Sequence, residues 1–80
     1  MQAKLKVYGA KTCSDTRRAR QFLEERQAPY EWFDVDEDVE ALNLIKSVND
    51  GSRTTPTVFF EDGSVQFEPT DEQLAEKLSL

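Results

Sequence analysis

Hydrophobic residues alternate with polar ones in some stretches of the chain and recur at helical spacing in others, and the two patterns predict seven elements. Alternating, β-branched or aromatic runs predict strands over Leu5–Gly9, Tyr30–Val35, Thr57–Phe60 and Val65–Phe67. Apolar residues at helical spacing predict helices from Ser14 to about Gln27, along a face with Val39, Leu42, Ile45 and Val48, and around Leu74 and Leu78. The predicted order is β-α-β-α-β-β-α.

Turn and cap residues separate these elements. Asp36 or Asp38 is expected to cap the second helix, and Asn49–Gly51 has the turn chemistry that ends it. Asp62–Gly63 predicts a hairpin between the last two strands, and Thr70–Gln73 matches a capping box before the terminal helix. A parallel pair joined by a crossover helix, followed by an antiparallel hairpin, predicts an α/β fold. We expect one four-stranded mixed sheet flanked by helices, in the small thioredoxin-like architecture.

The composition is that of one globular domain over residues 1–80. Hydrophobic residues make up 38% of the chain, and no apolar run approaches the roughly 20 residues that span a bilayer. The net charge of −6 opposes binding to nucleic acid or to anionic membranes. A single cysteine excludes an internal disulfide and favours a reducing, cytoplasmic location, and we expect a monomer. Because the chain has no histidine, a Cys-His dyad is excluded, and we expect no metal site.

The one cysteine, Cys13, lies at the junction of the first predicted strand and the first predicted helix. The first amides of a helix stabilise a thiolate, so we predict a pKa below the ordinary value of a free thiol. Lys11 adds positive charge nearby, whereas Asp15 opposes it within the first turn. Polar neighbours indicate an exposed, reactive thiol; the alternative is a buried and inert structural cysteine.

The residues that follow the cysteine bear on its chemistry. Thr16 stands one helical turn later, and its hydroxyl either donates a hydrogen bond to the thiolate or satisfies the backbone of the first turn. Lys11, Arg17, Arg18 and Arg20 are four of the ten cations of the chain. Such a group of positive charges in an acidic protein is consistent with an anionic thiol ligand, and equally with a solvated helix face.

Two stretches of the chain resemble the glutaredoxins. One is Thr12–Thr16 (TCSDT) and the other is Val48–Val58 (VNDGSRTTPTV), whose Arg-Thr-x-Pro-Thr block is the more specific half. With Asp62–Ser64 added, the later stretch is similar to the mycoredoxin branch of that family. In this resemblance the active-site motif corresponds to Cys13, Ser14, Asp15 and Thr16.

The resemblance implies roles for individual residues. Cys13 corresponds to the nucleophile, and Pro56 corresponds to the cis-proline that faces it in this fold. Thr55 corresponds to the residue whose backbone pairs with a bound thiol peptide. Contacts to a small thiol are implied for Lys11, Arg53, Thr55, Pro56, Thr70 and Asp71. Since Thr16 stands where dithiol relatives carry a second cysteine, the resemblance implies a monothiol mechanism.

Two further positions depart from the pattern of the family. The lysine that most glutathione users place three residues before the cysteine is Ala10 here, with Lys11 one position later. The Gly-Gly before the last helix is replaced by Phe67–Pro69. These departures leave the small thiol open among glutathione, mycothiol and similar compounds. The motif also differs from the Cys-Gly-Phe-Ser of iron–sulfur monothiol glutaredoxins.

The function implied by the resemblance is thiol–disulfide exchange. We expect an oxidoreductase whose partners are a low-molecular-weight thiol and proteins that carry mixed disulfides with it. An alternative enzyme is suggested by Cys13–Arg20, which also resembles arsenate-reductase-like proteins, where a basic residue helps to bind the oxyanion. Two non-enzymatic alternatives are an iron–sulfur carrier that joins two chains through Cys13 and a non-catalytic thioredoxin-fold binding module.

Overall fold

The computed structural model describes residues 5–80, in which the seven predicted elements occur in the predicted order. The strands are β1 (Lys6–Gly9), β2 (Glu31–Asp34), β3 (Thr57–Phe59) and β4 (Val65–Phe67), and the helices are α1 (Ser14–Glu25), α2 (Val39–Val48) and α3 (Asp71–Leu78). Within residues 5–80, no helix combines the length and the apolar character that a bilayer crossing requires.

The four strands form one mixed sheet in the order β2-β1-β3-β4, as predicted. β1 pairs with β2 in parallel and with β3 antiparallel, and β3 pairs antiparallel with β4 across the hairpin. The C-terminal ends of β1, β2 and β4 and the N-terminal end of β3 therefore lie on the same side of the sheet, where the strands run into loops. Each of the three helices begins on this side, which we call the loop edge.

Helices cover both faces of the sheet. On one face, α1 and α3 enclose a core of Leu5, Val7, Ala19, Phe22, Leu23, Val58, Phe60 and Leu74. On the other face, α2 packs Ala41 and Ile45 against Tyr8 and Val35. Full burial of a leucine or isoleucine side chain stabilises the fold by about 1.5–3 kcal/mol. The two layers therefore fix the helix starts in place around the loop edge.

Capping residues determine where α2 and α3 begin. Asp38 caps α2, because its carboxylate accepts hydrogen bonds from two amides of the first turn. The capping box of α3 is complete: the Thr70 hydroxyl accepts from the Gln73 amide, and the Gln73 side chain accepts from the Thr70 amide. The predicted starts of both helices are confirmed.

The end of α1 differs from the prediction. The helix stops at Glu25, whereas the sequence pattern extends it to about Gln27. Gln27 adopts a left-handed φ of 57°, and the amide of Ala28 donates to the carbonyl of Leu23 at 2.9 Å. These features make a Schellman closure, which satisfies the last carbonyls two residues before the expected end.

The buried face of α2 also differs from the prediction. Val39 is 68% exposed and Val48 is 39% exposed, although their spacing predicts a place on the apolar face. The buried residues of α2 are Ala41 and Ile45, which lie one turn apart and face the sheet. Val39 precedes Ala41 by two residues, about 200° around the helix, and therefore points away from the core.

Candidate active site

The thiol of Cys13 lies at the start of α1 and does not cap the helix. Cys13 is the N-cap residue, with an extended backbone (φ −82°, ψ 122°), and its side chain makes no capping hydrogen bond. Its amide donates to the carbonyl of Ala10 and its carbonyl accepts from Arg17, each at 3.0 Å. The side chain is half-buried and packs against the core between the sheet and α2. The sulfur is thus held at an open helix start, and Cys13 is not a fully buried cysteine.

The loop before β3 faces this sulfur. The Thr55–Pro56 peptide bond is cis, and the carbonyl oxygen of Thr55 lies 3.6 Å from Sγ of Cys13. Pro56 is buried, whereas Thr55 is half-buried. The preceding turn is fixed by Thr54, whose carbonyl accepts from the Thr57 hydroxyl and whose own hydroxyl accepts from Asn49, both at 2.7 Å. The chain thus brings together two segments that are 42 residues apart.

Thr16 lies beneath the sulfur and is fully buried. Its Oγ1 accepts a hydrogen bond from the amide of Ala10 at 3.4 Å. A hydroxyl that accepts from an amide still has its own hydrogen to donate. Thr16 therefore satisfies a buried backbone amide, and its hydroxyl is also among the groups that lower the pKa of the Cys13 thiol.

The surroundings of Cys13 lower the pKa of its thiol, in the direction that the sequence predicts. Burial is the largest influence and raises the pKa, because it disfavours the charged form. Hydrogen bonds from the side chains of Thr55 and Thr16 and from the amides of Thr16 and Asp15 oppose it and together outweigh it. The Thr55 carbonyl accepts from the neutral thiol and so favours protonation, but that contact is long and weak.

Alkylation of the thiol should follow this lowered pKa. Only the thiolate reacts with iodoacetamide, so the rate should rise with pH through the pKa of Cys13 and then level off. We expect the midpoint for the folded protein to lie at lower pH than for the same chain in urea, where the only cysteine is free of these hydrogen bonds. A midpoint that does not change on unfolding would contradict the assigned role of the helix start.

The matched variants for this measurement are Thr16→Val and Thr16→Ser. Valine has the shape of threonine without a hydrogen-bond donor, so the midpoint of Thr16→Val should move to higher pH. Serine keeps the hydroxyl, so the midpoint of Thr16→Ser should stay near that of the original protein.

The two cations implied as contacts for a small thiol are both engaged with carboxylates. Nζ of Lys11 lies 3.8 Å from Asp34 and 4.0 Å from Glu37, and the Arg53 guanidinium is paired with Asp36. Asp34, Asp36 and Glu37 belong to the end of β2 and the loop that follows it. Their position at the loop edge, and not their sequence separation, brings them to these cations.

The start of α3 also lies at the loop edge, next to α1. Thr70 is occupied by the capping box, and Asp71 forms an ion pair with Arg18 at 2.5 Å. Arg18 also donates to the carbonyl of Pro69 at 3.0 Å and lies 3.9 Å from Asp15. A shallow groove between the two helix starts is lined by Asp15, Arg18, Thr70 and Asp71, together with two glutamates. Arg18 thereby links the helix that carries the thiol to the start of α3, a role for which the sequence gives no local signal.

The other cations near the thiol point elsewhere. Arg17 donates to the backbone carbonyl of Lys11 at 2.9 Å. The guanidinium of Arg20 stacks on Trp32 at 3.9 Å and donates to the hydroxyl of Tyr30. The arginines that follow the cysteine, from which an oxyanion site could be inferred, are therefore occupied by contacts within the fold.

Comparisons with known proteins identify the family of the chain. The family model described as Glutaredoxin matches residues 5–65. Mycoredoxin 1 from Corynebacterium glutamicum is 35% identical over 72 residues, which cover 90% of this chain and 89% of that protein.

Solved structures give the same result. The crystal structure of a thioredoxin-like protein has a TM-score of 0.85 at 33% identity and covers 98% of this chain and 97% of its own. The crystal structure of a glutaredoxin from Archaeoglobus fulgidus has a TM-score of 0.77 at 26% identity, with 96% and 87% covered. The predicted thioredoxin-like fold is confirmed, and the chain belongs to the glutaredoxin family of thiol oxidoreductases.

Proposed function

We propose that this protein reduces mixed disulfides between proteins and a low-molecular-weight thiol, using Cys13 alone. The observation that carries the proposal is the position of its sulfur: at an open helix start, 3.6 Å from the Thr55 carbonyl, with a lowered pKa. The sequence contains no other cysteine, so an internal disulfide cannot resolve the reaction.

The proposed reaction has two exchange steps. In the first step, the Cys13 thiolate attacks the small-thiol sulfur of the mixed disulfide. The bond between that sulfur and the protein breaks as a new disulfide forms between Cys13 and the small thiol, and the protein thiolate leaves and takes a proton from water. A second small-thiol molecule, as its thiolate, then attacks that sulfur and restores the Cys13 thiolate. In sum, the protein mixed disulfide and one small thiol become a protein thiol and a small-molecule disulfide.

Thr55 supports the first step in two ways. Its side chain and that of Thr16 favour the thiolate, which is the attacking species. Ionisation of Cys13 also removes the S–H that now donates to the Thr55 carbonyl, and this leaves the carbonyl available to a bound peptide amide. The turn at Pro56 would then act as the backbone contact for the substrate.

The remaining proposed contacts to the small thiol are Lys11, Arg53, Thr70 and Asp71. Both cations would have to give up carboxylate partners in order to bind an anion, which costs part of the gain. We therefore propose that an uncharged thiol such as mycothiol suits the site better than anionic glutathione.

The reaction needs a supply of reduced thiol, which favours a reducing compartment such as the cytoplasm. Nothing in the proposed mechanism requires more than a monomer.

A turnover assay tests the proposal. One peptide is prepared as a mixed disulfide with glutathione and as one with mycothiol, and peptide release is followed with the corresponding free thiol in excess. We expect catalysed release, with intact mass spectra showing the small thiol, and not the peptide, attached to Cys13. If the rate of peptide release with the protein is no higher than the rate without it, for both mixed disulfides, the proposed function is refuted.

A further inference from the structure

A groove of about 710 Å³ lies between β2 and the first turn of α2, at the loop edge. Trp32, Phe33 and Val39 give it an apolar lining, and Val39 alone is 68% exposed. Phe33 lies on the α2 side of the sheet, stacked on Tyr8, whereas the ring of Trp32 lies under the Arg20 guanidinium. Val39 is therefore the exposed apolar contact that the groove offers. β2 is an edge strand of the sheet, so the groove is open on its outer side.

The charge of this groove is strongly negative. Four carboxylates line it, those of Asp34, Glu37, Asp38 and Glu40, against one ammonium group, that of Lys11. The carboxylates of Asp34 and Asp38 each accept hydrogen bonds from backbone amides, whereas the side chain of Glu37 is 74% exposed. An exposed valine among acidic side chains is complementary to a peptide in which basic residues flank an aliphatic one.

The groove adjoins the loop that leads to the thiol. Lys11, which forms part of its lining, stands two residues before Cys13 in the loop after β1. In the loop after β2, Asp36 pairs with Arg53, two residues before Thr55. The elements that line the groove are therefore joined to both segments that flank the sulfur, to one along the chain and to the other through this ion pair.

We propose that the groove between β2 and α2 binds a basic and apolar segment of the protein substrate, next to its modified cysteine. This inference rests on the proposed function and adds the class of protein that the site prefers. Substrates with lysine or arginine beside an aliphatic residue near the mixed disulfide are reduced faster than acidic ones. The preference weakens as salt screens the charges.

The test uses two peptides that differ only in charge. Each carries one cysteine that is joined in a disulfide to uncharged 2-mercaptoethanol and stands beside either Lys-Leu-Lys or Glu-Leu-Glu. Free 2-mercaptoethanol in excess is the reductant. At low ionic strength we expect the basic peptide to be reduced about 10-fold faster, with a smaller ratio in high salt. Equal rates would overturn the inference and leave the proposed function intact, whereas reduction of neither peptide would contradict the proposed function.

Matched variants separate the groove from the net charge of the protein. Glu37→Gln/Glu40→Gln removes two charges from the groove, and Glu25→Gln/Glu76→Gln removes two near the far ends of α1 and α3. All four side chains belong to exposed residues, so both proteins should fold. We expect the ratio between the peptides to fall about 3-fold in the first variant and to stay unchanged in the second. The same fall in both would overturn the inference.

Tryptophan fluorescence gives a second readout that does not depend on turnover. Trp32 is the only tryptophan and borders the groove from β2, with its indole under the Arg20 guanidinium. Titration of the Cys13→Ser protein with the basic peptide should change its emission in a saturable way, and Glu37→Gln/Glu40→Gln in that background should weaken the binding about 3-fold or more. An emission that does not change would argue against occupation of the groove.

Discussion

The Cys13→Ser protein is expected to lose disulfide-exchange activity by on the order of 10³-fold or more, because the only sulfur nucleophile is gone. A serine hydroxyl is a far weaker acid than a thiol, and hydrogen bonds of the kind that surround Cys13 cannot make it anionic near neutral pH. The measurement is peptide release from the mixed disulfide with the small thiol in excess. Activity within about 10-fold of the original protein would show that another group carries the reaction.

Loss of the fold does not explain such a result. Position 13 is the N-cap of α1, and serine is among the best N-cap residues, whereas the Cys13 side chain makes no capping bond. We therefore expect the thermal midpoint of Cys13→Ser to be unchanged or raised. Ser47→Ala is the matched control, since it removes one exposed hydroxyl in the last turn of α2 and should keep full activity.

The sequence predicts the fold well because its signals are local. The capping box at Thr70–Gln73, the cap at Asp38 and the turn at Asp62–Gly63 each depend on residues within a few positions of one another. The parallel and antiparallel pairings then follow from the order of the elements. The same reasoning fails at Val39, because the sequence pattern assigns it to the apolar face, whereas the face that meets the sheet is set by Ala41 and Ile45.

The candidate site is predicted less completely, because it depends on contacts between distant segments. The resemblance to a known family implies the pairing of Cys13 with Thr55 and Pro56, and in the structure Sγ of Cys13 lies 3.6 Å from the carbonyl oxygen of Thr55, which precedes the cis-proline. No local pattern indicates that Asp71 pairs with Arg18, which is 53 residues away. The same holds for Arg53, whose carboxylate partner comes from the loop after β2. Positive charges near a thiol in sequence are therefore a poor guide to the charge that an incoming ligand meets.

Gly9→Ala is expected to destabilise the protein by about 1–3 kcal/mol, although alanine is ordinarily no worse than glycine in a strand. Gly9 ends β1 directly against Thr16, and a Cβ at position 9 would lie 2.6 Å from Cγ2 and 2.7 Å from Oγ1 of Thr16. Thr16 is fully buried, so it has no free space into which to move. In a domain of this size the thermal midpoint should fall by about 4–8 °C for each kcal/mol.

Combining this change with Thr16→Ala tests whether the close approach is the cause. Alanine at position 16 removes both γ atoms, and the remaining contact, between Cβ atoms, is 3.2 Å. Thr16→Ala alone should also destabilise the protein, since the amide of Ala10 loses its acceptor. The double variant should therefore be more stable than the sum of the single effects predicts, by about 1–2 kcal/mol. It should still show the raised alkylation midpoint of a protein without the Thr16 hydroxyl. Strictly additive stabilities would mean that Gly9 is required for some other reason than room for Thr16.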